Sequence, residues 1–219
     1  MAPLEPNLDF ERQLLTSGFD LVIGCDEVGR GAIAGPVAVG LCAVDRSRVE
    51  LTAPNGVRDS KLLSPQKRQA LYPVVQSWAL ACSVGMIDAK RIDEVGINQA
   101  LAEAALVAIA GLNVEWGEPS KVAVILDGKH DWLSSMLATG ISVQTKVKAD
   151  RECVSVAAAS VIAKFDRDRL MILEHSRQPE YGWQSNKGYG SKAHFDAIEH
   201  VGSTDLHRLT WIGNRDLHS

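Results

Sequence analysis

Two carboxylates stand side by side at the end of an apolar run, in the stretch Leu21-Val-Ile-Gly-Cys-Asp26-Glu27-Val28-Gly29-Arg30-Gly31. A compact apolar run of this kind is a buried strand. Carboxylates left at its end need a partner, because an ionised group withdrawn from water is costly unless paired or metal-bound. Gly29 and Gly31 present no side chain, so the backbone there can come close to a ligand. Adjacent strand residues point to opposite faces. Asp26 and Glu27 can therefore share one site only if the strand ends or kinks between them, and it is expected over residues 21–25.

Further strands are expected over residues 36–44, 80–87, 121–126 and 141–147. The link from Gly29 to Gly35 is short and glycine-rich, which suits an antiparallel first pair. Helices are expected over residues 10–15, 99–110 with Asn98 as the cap, about 153–176, and 192–200. Residues 181–190 read as a glycine loop. This order predicts an α/β fold, a mixed sheet with helices on both faces. Residues 1–178 would form the main domain, and 179–219 a helical extension packed on it as part of one functional unit.

The chain has 219 residues, 46% of them apolar, and a net charge of −4. That is enough for a sizeable core, and it argues against indiscriminate coating of nucleic acid while leaving room for a local basic groove. Cys25, Cys42, Cys82 and Cys153 are far apart and are read as buried free thiols. No run is long and apolar enough for a membrane span, and the first residues lack the pattern of a secretory signal. A soluble, cytoplasmic monomer is expected. Five of the six histidines fall at His175 or later with irregular spacing, which reads as solvated helix-end residues rather than a zinc site.

Asp127 closes the apolar run 121–126, at the carboxyl end of a strand, where open α/β sheets place ligands. The alternative is an ordinary turn residue before Gly128. Asp150 precedes the long helix and has a helix cap as its alternative. A histidine-free set of Asp26, Glu27, Asp127 and Asp150 suits hard ions, magnesium or manganese. Paired ions about 4 Å apart, held by such a set, support in-line cleavage of phosphodiesters.

With these residues in place, the chain resembles ribonuclease HII, of the type 2 ribonuclease H family. The likeness is carried by Asp26 to Gly31 with Ala34-Gly35-Pro36, by Asp59-Ser60-Lys61-Leu62-Leu63-Ser64, and by Asp127-Gly128. It continues in Asp150 with the alanine-rich 155–164 segment and Asp168, and in Gly188-Tyr189-Gly190 and His207-Arg208. The chain departs from the family pattern at Ser191, where threonine is common, and at Leu209-Thr210-Trp211. The resemblance implies a ribonuclease H-like sheet, antiparallel in its first three strands and then parallel. It implies that Asp26, Glu27, Asp127 and Asp150 are catalytic metal ligands for two Mg2+ or Mn2+ ions. Gly29, Arg30 and Gly31 would meet the ribonucleotide 2′-hydroxyl through backbone groups. Tyr189 would pack on the neighbouring deoxyribose, and Lys61 would meet a phosphate. Lys146, Lys148 and Lys164 are either further phosphate contacts or solvated surface lysines. The implied activity is hydrolysis of the RNA strand of RNA–DNA hybrids, with cutting 5′ of single ribonucleotides in duplex DNA. Protein partners are unknown. The rival readings are another metal-dependent phosphoryl-transfer enzyme on a similar fold and a non-catalytic hybrid-binding module.

Overall fold

The structure, a computed structural model, describes residues 5–114 and 121–213. A short helix α1 (Asp9–Thr16) leads into strand β1 (Leu21–Val28), which pairs antiparallel with β2 (Val37–Val44). A helical turn α2 (Arg46–Val49) follows, then a 3-10 turn over Ser60–Leu62, helix α3 (Pro65–Trp78) and strand β3 (Ala81–Ile87). Helices α4 (Ala89–Val95) and α5 (Ile97–Gly111) precede β4 (Val122–Asp127) and β5 (Ile141–Lys146). A turn α6 (Ala149–Glu152) and the long helix α7 (Val154–Arg177) come next. The last elements are α8 (Trp183–Asn186), α9 (Lys192–Val201) and α10 (Leu209–Ile212).

The sheet order is β3-β2-β1-β4-β5. β2 and β3 pair antiparallel, while β1–β4 and β4–β5 are parallel. This is the expected ribonuclease H-like mixed sheet. Alternation along β1 sorts its residues between two cores. Val22 faces a layer that contains Val154, Ala157, Ala158 and Val161 of α7, whereas Leu21, Ile23 and Cys25 face Leu101, Ala104 and Ala105 of α5. Glycines set how closely the helices lie. A Cβ at Gly24 would fall 2.2 Å from the Ser155 carbonyl carbon, and one at Gly85 would fall 2.0 Å from the Ala104 oxygen. The alanine-rich stretch of α7 therefore lies almost backbone to backbone on β1, which holds the neighbouring acidic strand end rigid.

A third core joins the C-terminal helices to the link between β1 and β2. It contains Ile33, Ala34, Met171, Tyr181, Trp183, Ile198 and Ile212.

Several expectations are corrected. β1 does not end at Cys25: pairing with β2 continues through Asp26↔Gly40, Glu27↔Val39 and Val28↔Ala38. Asn98 does not cap α5, because the helix begins at Ile97 with Gly96 as its N-cap. Residues 181–190 are not all loop, since α8 lies within them. His194 and His207 are not solvated; both are buried. Helices α3 and α4 had no counterpart in the sequence reading. α3 mixes polar and apolar residues and carries Pro73 inside it, which hides its helical period.

Candidate active site

Two neighbouring strands carry acid at or near their carboxyl ends. Asp26, 4% exposed, lies on the β1 face that meets α7, and Glu27 lies on the opposite face, partly buried. Asp127 ends β4, and its Oδ1 accepts a 2.7 Å hydrogen bond from the Ala149 amide. That bond fixes the turn α6, which presents Asp150, 5% exposed. The chain is extended at Cys153, between α6 and α7, so Asp150 does not cap the long helix.

The electrostatics tie these residues together. Burial, then the nearby Glu27, Asp127 and Asp150, push the Asp26 carboxyl well above the usual range, against the pull of Lys61. Burial raises Glu27 as well, with Arg30 opposing and Asp127 adding to the rise. Asp150 is pushed up to about 6 by burial and by its neighbours Asp127 and Asp59. Burial draws the Lys61 ammonium down, but Asp26, Asp59, Asp150 and Glu27 outweigh it and raise it. Positive charge is what this cluster lacks.

The donor set fits a hard divalent ion: four carboxylates, all oxygen. As the side chains stand, no three His, Cys, Asp or Glu groups among the described residues converge closely enough to enclose one. Three of the carboxylates meet protein donors. Asp26 Oδ1 accepts from the Glu27 amide at 2.9 Å, Glu27 pairs with Arg30 at 3.4 Å, and Asp127 holds Ala149.

Beside the acids lies a cavity of about 490 Å3, lined by Glu27, Gly29, Arg30, Gly31, Lys61, Lys164 and Tyr189 among others. It gathers the substrate-reading residues nominated from sequence with one of the four carboxylates. Arg30 reaches Glu27 and also donates to Asn98 Oδ1 at 3.1 Å. A Cβ at Gly31 would meet nothing within 4 Å, so that position is open to a ligand. Tyr189 is 39% exposed, and the Arg167 guanidinium lies 5.6 Å from its ring centroid. Lys61 sits on the 3-10 turn whose start is capped by Asp59. Arg68 braces that turn through the Ser60 and Leu63 carbonyls at 2.8 and 2.6 Å.

Of the other lysines, Lys164 pairs with Asp168 at the cavity, and Lys146 pairs with Glu152 at 2.7 Å. Lys148 lines a separate hollow with Arg58 and Arg151. Sequence reasoning missed Asp59, which is 2% exposed and paired with Arg151 at 3.3 Å. It had been seen only as part of a motif, with no apolar strand before it to mark it as buried. It also missed Arg167, which lies one turn from Ala163 and one from Met171 on the buried stripe of α7.

The buried histidines form a chain of bonds. His194 Nδ1 donates to the Tyr189 carbonyl at 2.9 Å, and its Nε2 accepts from Trp183 Nε1 at 3.0 Å. His207 Nδ1 accepts from the Thr204 amide at 2.9 Å, which leaves its Nε2 to donate to His194 Nε2 at 3.2 Å. With both rings neutral, the single lone pair of His194 Nε2 is shared between the Trp183 and His207 N–H groups. Burial lowers His194, and burial together with His194 brings His207 down to about 4.

A mixed five-stranded sheet of this order, acidic at or near the carboxyl ends of two neighbouring strands and crossed by a long helix, defines a ribonuclease H-like protein. The family model for Ribonuclease HII matches residues 23–214, and the chain belongs to that family. Its members are endonucleases that degrade the RNA of RNA–DNA hybrids and depend on a divalent metal. The chain is 43% identical over 210 residues to a ribonuclease HII of Streptomyces griseus, covering 94% of this chain and 84% of that protein. Among solved structures it is similar to the ribonuclease H2 of Pyrococcus horikoshii, with TM-score 0.72 and 29% identity over 87% of this chain and 93% of that one. The PCNA:RNase HII complex of Archaeoglobus fulgidus matches with TM-score 0.68 and 26% identity, over 90% and 98%.

Proposed function

We propose that this chain removes ribonucleotides from DNA, cutting the RNA strand of hybrids and the 5′ side of single ribonucleotides embedded in duplex DNA to leave 5′-phosphate ends. The observation that carries this reading is the joining of two features at one place. Glu27, Asp127 and Asp150 lie close enough to raise the Asp26 carboxyl, although no three of the described acids converge on one point as the side chains stand, and the adjoining cavity is walled by the Gly29–Gly31 backbone and Tyr189.

Asp26, Glu27, Asp127 and Asp150 would hold two Mg2+ or Mn2+ ions, which supply Lewis acidity for water attack and for departure of the 3′-oxygen. The chain's own residues do the rest. The Gly29–Gly31 backbone meets the 2′-hydroxyl, the one group that separates RNA from DNA. The Tyr189 ring packs on the neighbouring deoxyribose and checks the junction. Lys61 and Lys164 face the phosphates from the cavity wall.

The test is a duplex carrying one ribonucleotide, set beside the same duplex in all-DNA form, with and without divalent ion. Metal-dependent cutting of the first alone is expected. Equal cutting of both would replace this reading with a general DNA nuclease. Since the Archaeoglobus relative is seen in complex with PCNA, the corresponding protein of this chain's host is the first partner to test by co-elution.

A further inference from the structure

Two arginines, Arg167 and Arg208, have no solvent exposure at all. Arg167 donates to the carbonyls of Pro36 at 2.8 Å, Lys187 at 2.9 Å and Ala34 at 3.1 Å. Arg208 donates to the carbonyls of Gly29 at 2.7 Å, Arg30 at 2.8 Å and Gly35 at 3.2 Å. Together they hold five carbonyls of the Gly29–Pro36 loop and one beside Tyr189. A guanidinium buried against neutral oxygens costs stability relative to an apolar filler. Packing alone does not account for such a pair.

Their geometry acts on the cavity wall. A trans peptide is planar, with its N–H directed opposite to its C=O. Because Arg208 draws the Gly29 and Arg30 carbonyls inward, the amides of Arg30 and Gly31 are turned away from it, on the side where these residues line the cavity. The rigid five-donor fork suits this task, whereas a lysine ammonium would fix no such plane. Arg167 supports the opposite wall. Its guanidinium lies 5.6 Å from the Tyr189 ring centroid while bonding to the Lys187 carbonyl two residues earlier. One buried charge thus keeps the loop and the tyrosine in register.

We propose that Arg167 and Arg208 are positioning residues for ribonucleotide selection: they aim main-chain amides at the 2′-hydroxyl and hold Tyr189 at a fixed distance from them. This rests on the function proposed above. The test measures cleavage by the full chain of duplexes whose single variable nucleotide carries 2′-OH or 2′-fluorine. The selection factor is the ratio of the two kcat/KM values. Arg208→Lys and Arg167→Lys are expected to lower that factor by about tenfold or more, through loss on the 2′-OH substrate alone, with all-DNA duplex binding unchanged. Equal loss on both substrates, with the factor intact, would make the arginines purely structural and overturn the proposal.

Should the lysine variants not fold, Trp211→Ala carries the test. Trp211 is 39% exposed and its ring centroid lies 4.9 Å from the Arg208 guanidinium, so its loss loosens the fork without opening the core. A fall in the selection factor of about threefold is expected, and an unchanged factor refutes the role of Arg208. A wild-type protein that cuts all-DNA duplex as well as the ribonucleotide duplex would instead defeat the proposed function, whatever the variants do.

Discussion

The Arg167 guanidinium stands where a side chain at Gly29 would have to go: a Cβ built there lies 2.0 Å from Arg167 Nε. Gly29 also has φ +81°, a conformation that L side chains rarely adopt. Gly31, two residues on, is unobstructed. Two glycines that look alike in sequence therefore stand in different surroundings, one crowded by the fold and the other open to the cavity.

Gly29→Ala should lose about 2–4 kcal/mol of stability, from backbone strain and overlap together. Gly31→Ala should leave stability within about 0.5 kcal/mol of wild type, as an unobstructed surface change does. Its kcat/KM on a one-ribonucleotide duplex should nevertheless fall by about tenfold, as the new methyl stands where substrate approaches. Denaturant unfolding and cleavage assays on both variants check the split. Equal stability losses would contradict it.

Asp26→Asn and Asp127→Asn should each lower metal-dependent cleavage by about a hundredfold or more. Hybrid binding should remain measurable. Without divalent ion, Asp26→Asn should be more stable than wild type at pH 7, because the folded state holds that carboxyl above its ordinary range and so disfavours its charged form. Added Mg2+ or Mn2+ should raise the wild-type melting temperature more than that of the variant. A thermal-shift titration reads both effects.

Acid should loosen the C-terminal region. His207 is held at about 4 in the folded protein, below an ordinary histidine, and His194 is lowered too. The unfolded chain takes up these protons first, so stability is complete above about pH 6.5 and falls as pH drops toward 4. The His207 share of that loss is roughly 3 kcal/mol. His207→Gln should flatten the pH profile between 6.5 and 4 while lowering stability at neutral pH. A profile as steep as wild type would rule the histidine pair out as its source.

Lys61→Gln should weaken hybrid binding and reduce the slope of log affinity against log salt by about one phosphate's worth, roughly 0.9. It should also remove the cation that Asp26, Asp59, Asp150 and Glu27 surround. A salt titration of binding by fluorescence anisotropy gives the slope directly. No change in slope would place Lys61 away from the nucleic acid backbone.

The sheet was readable from sequence because each strand is an apolar run bounded by glycine or charge, as in β1, β2 and β4. The first acidic pair was readable for the same reason, since Asp26 and Glu27 interrupt such a run. Asp150 was visible as an acidic residue before the long helix. That Asp127 holds its turn through the Ala149 amide could not be seen, because the bond spans 22 residues and depends on the parallel β4–β5 pairing. The end of β1 was misjudged because polarity was taken to end the strand. Pairing with β2 carries the backbone on through Val28. The burial of Arg167, Arg208, His194 and His207 was opaque, although His207-Arg208 stood out as a motif, since local pattern assigns such residues to the surface and only long-range packing buries them.

The bond from Arg208 Nη2 to the Gly29 carbonyl joins residues 179 positions apart. At ribosomal speeds of ~5–20 residues per second, the fastener emerges some 10–35 s after the segment it secures. A nascent chain therefore carries Asp26, Glu27, Asp127 and Asp150 well before the Gly29–Pro36 loop is fastened. A premature stop shortly ahead of codon 208 would yield a polypeptide with those four acids complete and that loop left loose.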